Sequence, residues 1–195
     1  MVFIIGLGNP GKKFENTWHN LGRLTVTSLR KDINLPEFKF SKKFNAFISR
    51  GIFEKKNIML VLPETFINRS GKTVRVLLNY YKPRVSNFWV VHDDIDLILG
   101  KIKIVKNRGS AGHKGVESII KELKSKNFVR FRIGIGIMKN EQKTTQSRQQ
   151  IEKFVLKKFS KKEEKILEKV IERAIEIIEF SLKEGIEKAM SFYNH

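Results

Sequence analysis

Phe44-Asn45-Ala46-Phe47-Ile48-Ser49-Arg50-Gly51-Ile52-Phe53, followed by Glu54-Lys55-Lys56-Asn57 and then Ile58-Met59-Leu60-Val61-Leu62, decides the fold of this chain. Two runs rich in β-branched and aromatic residues flank a short polar stretch, which is the pattern of a hairpin, and hairpin strands are antiparallel. Elsewhere strands and helices interleave. Residues 2–5 form a continuous apolar run broken by Gly6, as a buried strand does, and residues 20–31 have helical patterning. The outcome is a single α/β domain, 1–195, with a twisted mixed β-sheet flanked by helices.

Further along, 63–68 reads as loop, and Ser70 is placed to cap a helix over 72–81. Residues 88–91 form a strand ending in His92-Asp93-Asp94. Residues 101–106 alternate basic and apolar at period two, giving a strand with one face of each kind. A glycine-rich loop at 109–115 precedes a helix at 116–124, and 130–137 is another strand. Residues 139–150 are polar and irregular. The C-terminal amphipathic helix spans 160–182, opened by Ser160 with Glu163 three residues on, a capping box. Its apolar face is Ile166, Leu167, Val170, Ile171, Ala174, Ile177 and Ile178.

The chain has 195 residues with 39 Lys+Arg against 20 Asp+Glu. Residues 1–160 hold 32 basic and 12 acidic residues, a net +20, so all of the excess lies outside the tail. A polyanionic partner is the natural reading of that distribution. There are no cysteines, which excludes disulfides, thiolate metal sites and thiol nucleophiles. No apolar run is long enough for a membrane span, and the N-terminus lacks the basic region of a signal peptide. A cytoplasmic protein with no membrane contact is the expectation.

Several groups could carry chemistry. Gly6-Leu7-Gly8-Asn9-Pro10-Gly11 matches the dinucleotide fingerprint, but no helix opens inside it and Asp32 follows a helix instead of a second strand. His19 is set among Asn9, Asn20 and glycine-rich backbone, and an imidazole takes a proton from water when a carboxylate holds its tautomer. Asp93, at the end of a strand, is the best candidate carboxylate, the plain alternative being that Asp93, Asp94 and Asp96 form a solvated acidic turn or even a Mg²⁺ site. His92 and His113 read as structural. Asn9 and Asn68 follow strands in short loops, where carboxamides can donate to an oxyanion or serve ordinary turn chemistry. The 109–115 loop offers backbone N–H groups to an anion.

Six ordered motifs together resemble the bacterial-type peptidyl-tRNA hydrolase family. They are 6–11, Thr17-Trp18-His19-Asn20, Thr65-Phe66-Ile67-Asn68-Arg69-Ser70-Gly71, His92-Asp93-Asp94-Ile95-Asp96-Leu97, Gly112-His113-Lys114-Gly115, and Arg130-Phe131-Arg132-Ile133-Gly134-Ile135-Gly136. The resemblance implies a peptidyl-tRNA hydrolase-like fold and a monomeric esterase that cleaves the peptide from the 3′ ribose of peptidyl-tRNA, without metal or cofactor. It implies His19 as the water-activating base, Asp93 as its orienting carboxylate, and Asn9 and Asn68 as substrate and oxyanion ligands. Phe14 stands where the family usually has Tyr, Ile67 where it has Met, and Trp18 where it has Arg. Arg132 matches a residue contacting tRNA phosphate. Val105 occupies its usual partner's position, which leaves Lys103 or Lys106 as substitutes.

Lys114 is the largest departure, because the family commonly has a substrate-binding Asn there. Its ammonium can swing out to a tRNA phosphate, the favoured expectation, or stay inside beside His19. The rival reading is a non-catalytic RNA-binding protein on the same scaffold.

Overall fold

The computed structural model describes residues 1–136 and 147–194. Seven strands, β1 (Val2–Gly6), β2 (Lys39–Ser41), β3 (Ala46–Phe53), β4 (Lys56–Pro63), β5 (Phe88–Ile98), β6 (Ile102–Lys106) and β7 (Val129–Gly136), form one sheet in the order β2-β3-β4-β1-β5-β7-β6. The central β4, β1, β5 and β7 are parallel, and β2, β3 and β6 are antiparallel to their neighbours. The hairpin is present with a tighter turn than expected. Phe53 pairs with Lys56, so only Glu54 and Lys55 turn the chain, both at positive φ (47° and 60°). That is the twist a two-residue hairpin loop demands.

The helices are α1 (Leu21–Asp32), α2 (Ser70–Tyr81), α3 (Lys114–Leu123), α4 (Arg148–Val155), α5 (Lys161–Glu184) and α6 (Ile186–Tyr193). β1 is buried on both faces, which explains its unbroken apolar run. Ile4 joins a core with Leu21, Val26 and Leu29 of α1 and Leu167, Ala174 and Ile178 of α5. Phe3 and Ile5 point to the other side, against Val74 and Leu77 of α2 and Val116 and Ile119 of α3. The α5 capping box forms as expected, with Glu163 N–H donating to Ser160 Oγ and Ser160 N–H to Glu163 Oε2.

Some expectations are corrected. Ser70 does not cap α2: it is the helix's first residue, its hydroxyl is buried without a partner among the described residues, and the cap position is Arg69. β5 does not stop at Val91 but continues through Asp93 and Asp94, because both carboxylates find partners inside the structure. Ile166 is 42% exposed and lies outside the apolar face of α5. Of the segment expected to be irregular, 139–146 falls outside the described residues, while Arg148–Gln150 open α4 behind a Ser147–Gln150 capping box. β2 is too short for a periodic signal, and α6 is separated from α5 by Gly185 at φ 95°.

The parallel strands end at the edge where α1 begins. Gly22 lets α1 touch the β5 backbone, since a Cβ there would sit 2.1 Å from Val91 O. α1 cannot retreat from β5 without moving the turn before it. Gly22→Ala is therefore expected to lower stability by about 1–3 kcal/mol, read as a lower urea midpoint at unchanged m-value, and to lower activity through displacement of the turn before α1.

Candidate active site

Three short segments meet at the carboxyl ends of β1 and β5, the usual position for a site in an open parallel sheet. After β1 the chain is pinned by Leu7 N–H donating to Val91 O (3.0 Å). Asn9 and Asn20 then lock two loops together. Asn9 N–H donates to Asn20 Oδ1 (2.7 Å) and Asn20 Nδ2 donates to Asn9 O (3.0 Å). The Asn9 side chain takes Ile67 N–H on its Oδ1 (2.9 Å), which leaves its amide nitrogen as the donor end. A 3-10 turn, Trp18–Asn20, carries His19. Trp18 anchors it, stacked on Phe154 (5.7 Å, 16°) and edge-on to Phe159 (4.8 Å, 81°).

The sequence expectation of a His19–Asp93 pair holds in space, across 74 residues of chain. His19 Nδ1–H donates to both Asp93 oxygens at 3.0 and 3.1 Å. A second imidazole, dismissed as structural from the sequence, reaches the same carboxylate: His113 Nε2–H donates to Asp93 Oδ1 at 3.0 Å. His113 is the N-cap of α3, its Nδ1 accepting from Val116 N–H (3.2 Å). An accepting Nδ1 must be bare, so its proton sits on Nε2, facing Asp93. The one signal in the sequence was its position immediately before a helix. His92, fully buried, donates Nδ1–H to Asp93 O (2.6 Å).

Burial opposes ionisation of Asp93, but His19 and His113 outweigh it and hold the carboxyl below the usual carboxylate range. For His19 burial disfavours the charged ring, Asp93 favours it more strongly, and Lys114 opposes it. The balance raises the pKa above the ordinary 6.5. Burial, followed by the nearby His113, holds His92 well below the imidazole range.

His19 borders two clefts. One, of about 410 Å³, is lined by Asn9, Phe14, Phe66, Ile67 and Asn68. Phe14 meets Phe66 edge-on (6.3 Å, 88°), Ile67 is buried, and Asn68 is exposed. The other, of about 640 Å³, is lined by Asp93, Asp96, Ser110, Gly112 and Glu117. Lys114 and Glu152 border both clefts, joined by an ion pair of 2.5 Å between α3 and α4. The ammonium is held by Glu152, near enough to bear on His19.

His19, Asp93 and His113 offer ligand atoms within 4.8 Å of one another, the one such metal-capable group among the described residues. Their hydrogen bonds fit a proton-bearing cluster better than a ligand set. Each Asp93 oxygen already takes an N–H, and a cation would require His113 to give up either its proton or Val116. The Mg²⁺ alternative at Asp93, Asp94 and Asp96 fares no better, because Asp94 Oδ2 is taken by Arg132 Nε (2.6 Å) and Oδ1 by Asp96 N–H. Arg132 has Lys103 as its register partner on β6. Lys106 stands opposite Val129. Odd and even positions of a strand face opposite ways, and Lys106 instead pairs with Glu187 of α6 (3.5 Å).

A family model for peptidyl-tRNA hydrolase matches residues 3–195. The chain belongs to the peptidyl-tRNA hydrolase family. It is 39% identical over 196 residues to a peptidyl-tRNA hydrolase of Thermodesulfovibrio yellowstonii, covering 100% of this chain and 99% of that one. A relative from a Thermoanaerobacter species is 38% identical over 194 residues, with both chains fully covered. The crystal structure of peptidyl-tRNA hydrolase from Acinetobacter baumannii superposes with a TM-score of 0.88 at 29% identity, covering 98% of this chain and 93% of that chain. The α/β fold with its mixed seven-stranded sheet is thus the peptidyl-tRNA hydrolase fold. No helix among the described residues is long and apolar enough to cross a membrane.

Opposite charges on either side of His19 give a two-way check. Asp93→Asn removes the anion that raises the His19 pKa, so the ring should titrate at lower pH. Lys114→Asn removes a cation, so it should titrate at higher pH. An NMR titration of the His19 Cε1 proton in both variants reads the two directions.

Proposed function

We propose that this protein hydrolyses the ester between the peptide and the 3′ ribose of tRNA in peptidyl-tRNA, using water activated by His19 and neither metal nor cofactor. The observation that carries the reading is the His19 ring: Asp93 holds its Nδ1–H, and its other nitrogen is the basic one, at the border of the cleft lined by Asn9 and Asn68. Neutral His19 takes a proton from water as the oxygen attacks the ester carbonyl. The resulting oxyanion accepts hydrogen bonds from the Asn9 and Asn68 amides. Collapse expels the ribose 3′ oxygen, which takes the proton back from His19. Asp93 stabilises the imidazolium between these steps, and His113 keeps Asp93 in place. Phe14 and Ile67 supply the apolar wall, while Lys114, unable to accept a hydrogen bond as Asn can, holds the cleft edge through Glu152.

Arg132 and Lys103 bind tRNA phosphate, and the protein works as a cytoplasmic monomer. A purely RNA-binding role would leave the buried His19–Asp93–His113 cluster without a use.

His19→Ala should lower kcat on N-acetyl-aminoacyl-tRNA by roughly 10²–10⁴, and EDTA should change nothing. Near-full activity in the variant, or loss in EDTA restored by Mg²⁺ or Zn²⁺, would sink the mechanism. Because His19 must be neutral to act, and its pKa is raised, kcat/KM should fall as pH drops through a value above 6.5. tRNA affinity should decline steeply with salt, and Arg132→Ala should shallow that slope by about one.

A further inference from the structure

The outer edge of the sheet carries a conflict of charge. Lys103 on β6 is the register partner of Arg132 on β7, and like charges directly across two strands destabilise the pair. Asp94 answers only Arg132, at 2.6 Å. β6 is also the last strand in the sheet, so no strand on its outer side holds it against that repulsion.

One side chain takes that place. Asn194, which follows α6, accepts from Ile104 N–H on Oδ1 at 2.8 Å and donates from Nδ2 to Ile104 O at 2.9 Å. Both backbone groups of Ile104 therefore point away from β7. In an antiparallel pair this makes the flanking positions, Lys103 with Arg132 and Val105 with Arg130, the ones that exchange hydrogen bonds with β7. A carboxamide has the donor and acceptor of a peptide unit, so Asn194 works as a one-residue strand along the free edge. Ile104 beneath it is fully buried. The second tether from α6, Lys106 to Glu187 at 3.5 Å, is a solvent-exposed pair of little weight.

We propose that Asn194 is a positioning residue for tRNA binding: by pinning the outer edge of β6 it keeps Lys103 opposite Arg132, where both cations can engage one phosphate. The inference rests on the phosphate role given above to Lys103 and Arg132. The bound phosphate supplies the anion that the Lys103–Arg132 pair lacks, so the edge is tightest with tRNA in place.

Steady-state kinetics on N-acetyl-aminoacyl-tRNA and amide hydrogen exchange test it together. Asn194→Ala should raise KM roughly three- to tenfold, as expected for one or two net hydrogen bonds, with kcat unchanged. It should also speed exchange at Lys103 and Val105. Asn194→Asp, which keeps the acceptor and loses the donor, should fall between, and Glu187→Gln should leave KM unchanged. In a Lys103→Ala background Asn194→Ala should add little, because the two act through one contact.

If Lys103→Ala does not weaken tRNA binding, the phosphate reading and this inference both fall. If Lys103→Ala weakens binding but Asn194→Ala leaves KM unchanged, or lowers kcat alone, the edge clamp is wrong and the phosphate reading stands. A rise in KM from Glu187→Gln equal to that from Asn194→Ala would assign the effect to α6 as a whole and overturn the role of the carboxamide.

Discussion

A buried carboxylate can stay ionised only if hydrogen bonds and positive charge replace the water it has lost, and Asp93 lives under that constraint. It is 2% exposed, sits inside β5, and receives N–H groups from His19 and His113. Everything near the site serves this arrangement. α1 rests on the β5 backbone at Gly22, bringing the His19 turn to the strand. α3 begins with His113 as its cap, so the start of a helix also fixes the proton of the second imidazole. Neither histidine could be moved without leaving an unmet charge in the core, a loss typically of several kcal/mol.

The same principle, applied more weakly, shapes the outer edge of the sheet at β6 and β7. Arg132 and Lys103 oppose each other across β6 and β7, and one carboxylate, Asp94, pairs with Arg132 alone. The sheet tolerates this because the strands around it are apolar on the α5 face, where Ile102, Ile104, Phe131 and Ile133 are buried. A basic face and an apolar face for the core come from the same alternation along β6. α5 lies on the apolar side of that strand, and the tail from residue 161 on, with seven basic and eight acidic residues, balances its own charge beside a body carrying +20.

Much of this was legible in the residue order. The hairpin at 44–62, the apolar strand at the N-terminus and the capping box at Ser160 are local patterns, and each is realised where local physics puts it. His19 stood out for its polar, glycine-rich neighbours and Asp93 for its place at a strand end, Asn9 and Asn68 were open to ordinary turn chemistry, and the ordered motifs joined all four into one family. Ser70 misled because a serine before an apolar run looks like a cap, whereas its hydroxyl is turned inward and the helix starts one residue earlier than the side chain implies.

The sequence by itself determined the fold class and the family, and it singled out His19 and Asp93 as a candidate pair, since periodicity, turn chemistry and short motifs are properties of neighbouring residues. Only the tertiary structure decided that His113 shares Asp93 with His19, that Lys114 is held by Glu152, and that Lys103 and not Lys106 stands with Arg132. Each of these is a contact between segments far apart in the chain. Its partner is selected by strand register, by the face a side chain takes and by the packing of one helix against another strand, and none of those is written in the residues on either side.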